Sequence, residues 1–301
     1  MQICELTKNF VTLHWEARDP DAHKGDFGRL LCITGSGTMP GACCMSTQGA
    51  LRGGAGLTTV ATARENIDRL AAQIPEAMWL PLDTDADGFF LDQPNRTRLQ
   101  EAIDKATGIL LGCGVGMTTE TQSLMLWILE QTQEKTVIID ADGLNCLSAN
   151  REALPITPKP WILTPHPGEM ARLMGTTTKE IQENRMECAE EFIHNIPITL
   201  VLKGSKTLIC TYKDPDILYQ NTTGNPGMSR GGSGDVLAGL TAGMMLGLYH
   251  AQTREAEVAA MAVYLHGRAG DLAAEQYSQQ AMLPREILAC LPQAFLEIET
   301  A

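Results

Sequence analysis

Asn221-Thr-Thr-Gly-Asn-Pro-Gly-Met-Ser-Arg-Gly-Gly-Ser-Gly-Asp235 runs without a break into the apolar stretch Val236-Leu-Ala-Gly-Leu-Thr-Ala-Gly-Met-Met-Leu246. Glycines packed this closely open the backbone to unusual dihedrals and leave its N–H groups uncovered. The apolar stretch reads as a helix starting near Ser233. Its positive dipole end and unpaired N–H groups then converge with Gly231, Gly232 and Gly234 on an anion. Asp235 falls in the first helical turn. A carboxylate there either caps the helix or takes a proton from a hydroxyl attacking a phosphoryl group held by those glycines.

Upstream, the chain supplies a frame for such a site. Residues 30–34, 57–62, 108–111, 136–140, 161–164 and 198–202 are short apolar runs bounded by turn residues, as buried strands are. Residues 207–211 and 217–219 read as a hairpin pair. Helical patterns occupy 42–51, 119–131, 169–174 and 178–194, then 235–248, 255–276 and 284–291. Short apolar strands alternating with helices predict an α/β fold, one mostly parallel central sheet with helices on both faces. Ligands of such sheets bind beyond the carboxyl ends of the strands. The segments 35–41, 112–116, 140–143, 164–169, 203–205 and 231–235 all follow a predicted strand or open a helix, so they are expected on one rim. No linker, repeat or low-complexity segment divides residues 1–301, and a single domain is expected, with residues 1–23 as a lead-in.

The 301 residues are 44% hydrophobic and 20% charged, which suits a globule with a sizeable core. A net charge of −13 argues against a nucleic-acid partner, which needs a basic face. A small phosphorylated ligand held by N–H groups stays open. The nine cysteines, including the vicinal pair Cys43-Cys44, are odd in number, irregularly spaced and free of any C-x-x-C pair. They predict packing thiols in a reducing, cytoplasmic compartment, with neither disulfides nor a zinc site. No apolar stretch reaches the roughly 18–20 residues of a membrane span, and residues 1–20 are mixed polar and charged with no apolar h-region, so neither secretion nor membrane spanning is expected.

Lys24-Gly25-Asp26-Phe27-Gly28, Gly35-Ser36-Gly37-Thr38-Met39-Pro40-Gly41-Ala42, Asp140-Ala141-Asp142-Gly143-Leu144-Asn145, Thr164-Pro165-His166-Pro167-Gly168-Glu169 and the stretch from Asn221 to Gly239 follow one another in this order. Together they resemble the ADP/ATP-dependent NAD(P)H-hydrate dehydratase family, a branch of the ribokinase-like superfamily. The resemblance implies a ribokinase-like fold and cofactor repair: ADP or ATP phosphorylates the C6 hydroxyl of the S-epimer of hydrated NADH or NADPH, and loss of phosphate restores the cofactor. It puts Ala42, Gly116, His166 and Asp235 against the hydrated dinucleotide. Lys203, Gly204, Ser205, Lys206, Thr207 and Gly234 fall against the nucleotide donor. Asp235 is the implied base, with Gly231, Gly232, Ser233 and Gly234 as the anion hole. A homotetramer is implied too. This chain departs from the family's common Gly-Pro-Gly-Leu-Gly with Gly112-Cys113-Gly114-Val115-Gly116, and has Ser233 where Thr is commoner. Members are often fused to an epimerase. The residues before Lys24 are too few for one, so functional pairing with a separate epimerase chain is expected.

Several of these residues admit a plainer reading. Asp140 and Asp142 suit Mg²⁺ held through water, or a turn and an N-cap. Glu169 either holds a metal-bound water or caps the helix it opens, so Asp140 and Glu169 are the metal candidates. His166 between two prolines favours a ligand contact over free solvation. Lys203 offsets donor charge or serves through its backbone. Arg230 stabilises a transferring phosphoryl group or is a solvated loop residue. Two further functions fit the glycine loop and Asp235: a kinase of a hydroxymethyl vitamin precursor, and a nucleotide sensor without catalysis. The Thr-Pro-His-Pro-Gly-Glu and Asn-Pro-Gly-Met elements argue against the first, and the intact Asp235 against the second.

Overall fold

Each apolar run becomes a strand in the computed structural model, which describes residues 1–132, 134–248 and 254–301. The strands are β1 (Gln2–Leu6), β2 (Arg29–Ile33), β3 (Leu57–Ala63), β4 (Met78–Leu82), β5 (Gly108–Leu111), β6 (Thr136–Ile139), β7 (Trp161–Leu163), β8 (Thr199–Leu202), β9 (Leu208–Thr211) and β10 (Asp214–Asn221). They form one ten-stranded sheet in the order β1-β10-β9-β8-β7-β6-β5-β2-β3-β4. Every pairing is parallel except the two that β9 makes with β8 and β10. The helices are α1 (Lys8–His14), α2 (Pro40–Arg52), α3 (Arg64–Leu70), α4 (Gln93–Lys105), α5 (Thr119–Gln131), α6 (Asp142–Ala149), α7 (Pro167–Met174), α8 (Thr178–Glu183), α9 (Arg185–Asn195), α10 (Ser233–Gly247), α11 (Glu255–Ala281) and α12 (Pro284–Glu299).

Two differences from the sequence reading stand out. Residues 1–23 are more than a lead-in: β1 is an edge strand that pairs in parallel with β10, Leu6 opposite Asn221. The helix expected over 178–194 is two helices, because Asn184 leaves the helical region and ends α8. The strand-by-strand alternation of side chains divides the core between the two faces of the sheet. Leu110, Ile138, Ile162 and Val201 point to the layer of α2, α10, α11 and α12. Ile109, Leu111, Ile139, Leu163, Leu200 and Leu202 point to the layer of α4 to α9. Strands buried on both faces have no polar side to show, hence their unbroken apolar sequence.

α2 and α10 touch backbone to backbone. A Cβ at Gly239 would lie 1.9 Å from the Ser46 carbonyl oxygen, and one at Gly243 would lie 2.1 Å from that of Ala50. Gly49 and Gly53 face Val236 and Leu240 from the other side, at 2.5 and 2.6 Å from their carbonyl oxygens. Residue numbers rise together along the contact, so the helices are parallel and their N-termini share one end. Both positive dipole ends therefore face the rim beyond the strands.

Candidate active site

The strand order reverses between β2 and β5, since β2 pairs with β3 on one side and β5 on the other. The loops leaving these two strands are laced together: Gly35 N–H donates to the Cys113 carbonyl (2.8 Å) and Ser36 N–H to that of Gly114 (2.6 Å). Ala42, in the first turn of α2, sits against this seam, and a Cβ at Gly114 would lie 2.6 Å from its own. Next along the rim, Gly116 N–H donates to Asp142 Oδ2 (2.8 Å). Lys203 N–H at the end of β8 donates to the Pro165 carbonyl after β7 (2.8 Å). The six segments expected on one rim are thus together, at the switch point where an open α/β sheet forms its crevice.

The N-terminus of α10 closes this crevice. Gly232 holds φ +103°, a left-handed turn that ends the loop and starts the helix at Ser233. Asp235 is in the first turn, partly buried. Its carboxylate oxygen, one of Asp140 and the Cys113 sulfur lie within 4.8 Å of one another. Burial raises the Asp235 pKa from 3.8 to about 6, and the Asp140 charge adds to the rise; the Cys113 thiol, hydrogen-bonded to Asp235, and the Lys203 ammonium oppose it. A carboxylate poised near neutrality, rather than near 4, suits proton transfer at physiological pH.

Lys203 ties the other acids together. Its Nζ lies 2.5 Å from Asp140 Oδ1 and 3.9 Å from Glu169 Oε2. Burial pushes the ammonium pKa down, but the charges of Asp140 and Glu169 and the hydrogen bond to Asp140 outweigh it and hold the value above the ordinary range. Glu169 is raised, chiefly by burial and also by Asp140, although Lys203 opposes the rise. Ala141, between Asp140 and Asp142, has φ +50°, a strained setting for a residue with a Cβ. It lets Asp140 face Lys203 while Asp142 turns to Gly116. Lys203 also borders the glycine loop: a Cβ at Gly234 would come within 3.4 Å of Nζ.

His166 and Glu169 form a capping box at the start of α7. His166 Nδ1 accepts from Gly168 N–H (3.0 Å) and Glu169 N–H (3.4 Å), and Glu169 Oε2 accepts from His166 N–H (2.7 Å). An accepting Nδ1 puts the imidazole proton on Nε2, 3.3 Å from Glu169 Oε1. Burial, then Lys203 and Arg172, lower the His166 pKa, which favours the neutral ring. Half the side chain is exposed toward the rim. The capping role weighed for Glu169 is therefore present. Arg230 Nη2 reaches away to the Gln280 carbonyl (2.5 Å). Gly204 and Lys206 take positive φ (+145° and +58°), and Thr207 Oγ1 donates back to the Gly204 carbonyl (3.0 Å), which closes residues 203–207 into a tight turn.

The acids Asp140, Asp142, Glu169 and Asp235 crowd a site whose nearest cation, Lys203, is already paired. That balance fits a divalent ion. Lys203 stands between Asp140 and Glu169, so an ion shared by those two fits only through its own waters, the habit of Mg²⁺. All nine cysteines are free thiols, and Cys43 and Cys44 pack inside α2.

Four residues at the site carried no assignment from the sequence. Phe89, on a turn after β4, faces Gly116, where a Cβ would meet its ring at 2.4 Å. Cys113 presents its thiol to Asp235. His266 is buried in α11 beside the Ser233 backbone, and burial lowers its pKa to about 4. Arg185 lies under Lys203 and Gly204. Cys113 alone lay within a quoted motif; the other three come from distant segments.

A model of the NAD(P)H-hydrate dehydratase family matches residues 30–293. The bifunctional NAD(P)H-hydrate repair enzyme Nnr of Moorella thermoacetica is 38% identical over 98% of this chain and 54% of its own length. This chain spans about half the length of the bifunctional relatives it matches. The ADP-dependent (S)-NAD(P)H-hydrate dehydratase of Bacillus subtilis is 32% identical, over 99% of this chain and 100% of its own. Among solved structures, a ribokinase-like superfamily protein from Enterococcus faecalis V583 superposes with a TM-score of 0.85 at 31% identity, covering 98% of this chain and 96% of that one. The ADP/ATP-dependent NAD(P)H-hydrate dehydratase of Bacillus subtilis, co-crystallized with ATP/Mg²⁺, does so with a TM-score of 0.78 at 30% identity, covering 97% of each chain. With its ribokinase-like fold and its glycine loop opening α10, the chain belongs to the NAD(P)H-hydrate dehydratase family.

Proposed function

We propose that this chain restores NADH and NADPH from their S-hydrates, with ADP or ATP as phosphoryl donor. The observation that carries the proposal is Asp235: a carboxyl with a pKa of about 6, in the first turn of α10 and flanked by Gly231, Gly232, Ser233 and Gly234. In this reading Asp235 takes the proton of the C6 hydroxyl as that oxygen attacks the terminal phosphorus of the donor. The P–O bond to the donor breaks, leaving AMP from ADP or ADP from ATP. The C6–O bond then breaks with release of phosphate, the neighbouring C5 proton is lost, and the ring double bond returns. The α10 N–H groups and the glycine loop hold the transferring phosphoryl group. Ala42, Gly116 and His166 line the dinucleotide side, and Lys203, Gly204, Ser205, Lys206 and Thr207 the donor side. Asp140 and Glu169 would hold Mg²⁺ through water, and the ion would supply charge that offsets the phosphates. An epimerase that supplies the S-form, a cytoplasmic setting and a homotetramer complete the reading; light scattering on the purified chain tests the last.

The test is absorbance near 340 nm with purified protein, Mg²⁺, hydrated NADH or NADPH, and either nucleotide. A nucleotide-dependent rise that Asp235→Asn abolishes supports the reading. No rise with either nucleotide, in folded protein, overturns it, and a stable phosphate ester formed from a hydroxymethyl compound would point to the kinase instead.

A further inference from the structure

Arg185 is the first residue of α9 and lies eighteen positions from Lys203 in the chain, yet it forks onto the end of β8. Nη2 donates to the Leu202 carbonyl (2.9 Å) and Nη1 to the Lys203 carbonyl (3.2 Å). The guanidinium lies flush against Gly204, where a Cβ would come within 2.8 Å of Nη1. Glycine accommodates this approach, at a φ of +145° that other residues avoid.

This is an unfavourable place for a cation. A helix N-terminus repels positive charge. The guanidinium is half-buried, and no carboxylate among the described residues pairs with it. Burial accordingly lowers its pKa. Among the described residues its hydrogen-bond partners are two neutral carbonyls. An anion arriving at residues 203–207 would offset these costs. Lys203, the obvious candidate for that task, is held by Asp140 and Glu169.

We propose that Arg185 is a positioning residue for the phosphoryl donor: its fork fixes the turn from Lys203 to Thr207, and its unmatched charge makes that turn attractive to the polyphosphate of an adenine nucleotide. The inference rests on the ADP/ATP reading above and adds to it a residue that touches neither substrate.

Two variants test it. Arg185→Met removes fork and charge, whereas Arg185→Lys keeps the charge and loses the fork. Calorimetry with ADP and with ATP gives nucleotide Kd values, and steady-state kinetics separates the KM of each substrate. For Arg185→Met the nucleotide Kd and KM rise roughly tenfold or more, as for a lost charge-assisted hydrogen bond, while the hydrate KM stays within about twofold. Arg185→Lys recovers part of the loss. Should Arg185→Met fail to fold, Arg185→Lys decides alone: a rise confined to the nucleotide supports the role. An unchanged nucleotide Kd, or both KM values rising together, overturns it. If the parent protein binds neither nucleotide, the donor reading itself fails and this proposal with it.

Discussion

Replacing Asp235 by Asn should make the protein both slower and more stable, and the second effect is the sharper test of the site. A pKa raised from 3.8 to about 6 means that the folded state resists ionising this carboxyl. The sign follows from linkage. Below about pH 4 the group is protonated both folded and unfolded, so the substitution changes no charge balance. Above about pH 6 it is ionised in both states, and the folded state alone bears the desolvation and the repulsion from Asp140. The full difference is about 3 kcal/mol at roughly 1.4 kcal/mol per pH unit. The carboxylate reaches solvent on one side, so about half, near 1.5 kcal/mol, is the working figure. In a chain of 301 residues that is a Tm gain of about 2–3 °C at pH 8, shrinking toward zero as the pH falls below about 4. The assay is thermal melting of both proteins across that range, alongside kcat, which should fall by about 10²–10⁴-fold. An Asn variant no more stable than the parent at pH 8, or equally stabilised at both ends, would refute the assignment of a buried, charge-crowded base.

Three further outcomes follow. With Asp235 as base, kcat/KM should fall about tenfold per pH unit below about pH 6, and Glu169→Gln should leave that limb in place; a limb near 4 would deny Asp235 its raised pKa. EDTA in excess should abolish turnover and Mg²⁺ restore it, because Asp140, Asp142, Glu169 and Asp235 outnumber Lys203; turnover that survives chelation would exclude a divalent ion. Gly239→Ala should cost at least about 1–3 kcal/mol by forcing α2 and α10 apart, read as a lower Tm. Gly41→Ala, where an added Cβ meets nothing within 4 Å, is the control, and equal melting of the two variants would contradict the contact.

What the sequence made legible divides along physical lines. β5, β6 and β8 sit in the middle of the sheet, so burial on both faces writes them as apolar runs. β4 at the edge reads Met-Trp-Leu-Pro-Leu, and Pro81 there is tolerated only because an edge strand has spare N–H positions. β1 buries only Leu6 and looks like any polar tail. α4 hides its identity because just Asn95, Leu99 and Ile103 are buried among thirteen residues. In the site, Asp235 and its glycines were legible because backbone geometry demands those residue types in a row. Arg185, Phe89 and His266 were not, since each acts from another segment and a lone Arg, Phe or His has no local signature. Glu169 was half legible: its capping role followed from its place, its closeness to Lys203 only from the fold.

The seam between α2 and α10 also has an evolutionary reading. Where two main chains touch with nothing between them, their spacing is set by peptide atoms rather than by side chains. Mutation elsewhere can tune what the crevice grips, but cannot easily widen the gap between the first turn of α2 at Ala42 and the first turn of α10 at Gly234. A saturation-mutagenesis map scored for growth should therefore contain a stripe of intolerance at Gly49, Gly53, Gly239 and Gly243, one helical turn apart and running away from the chemistry. Drift in substrate preference among descendants of this scaffold would have to come from the loops, with the ruler between them left unaltered.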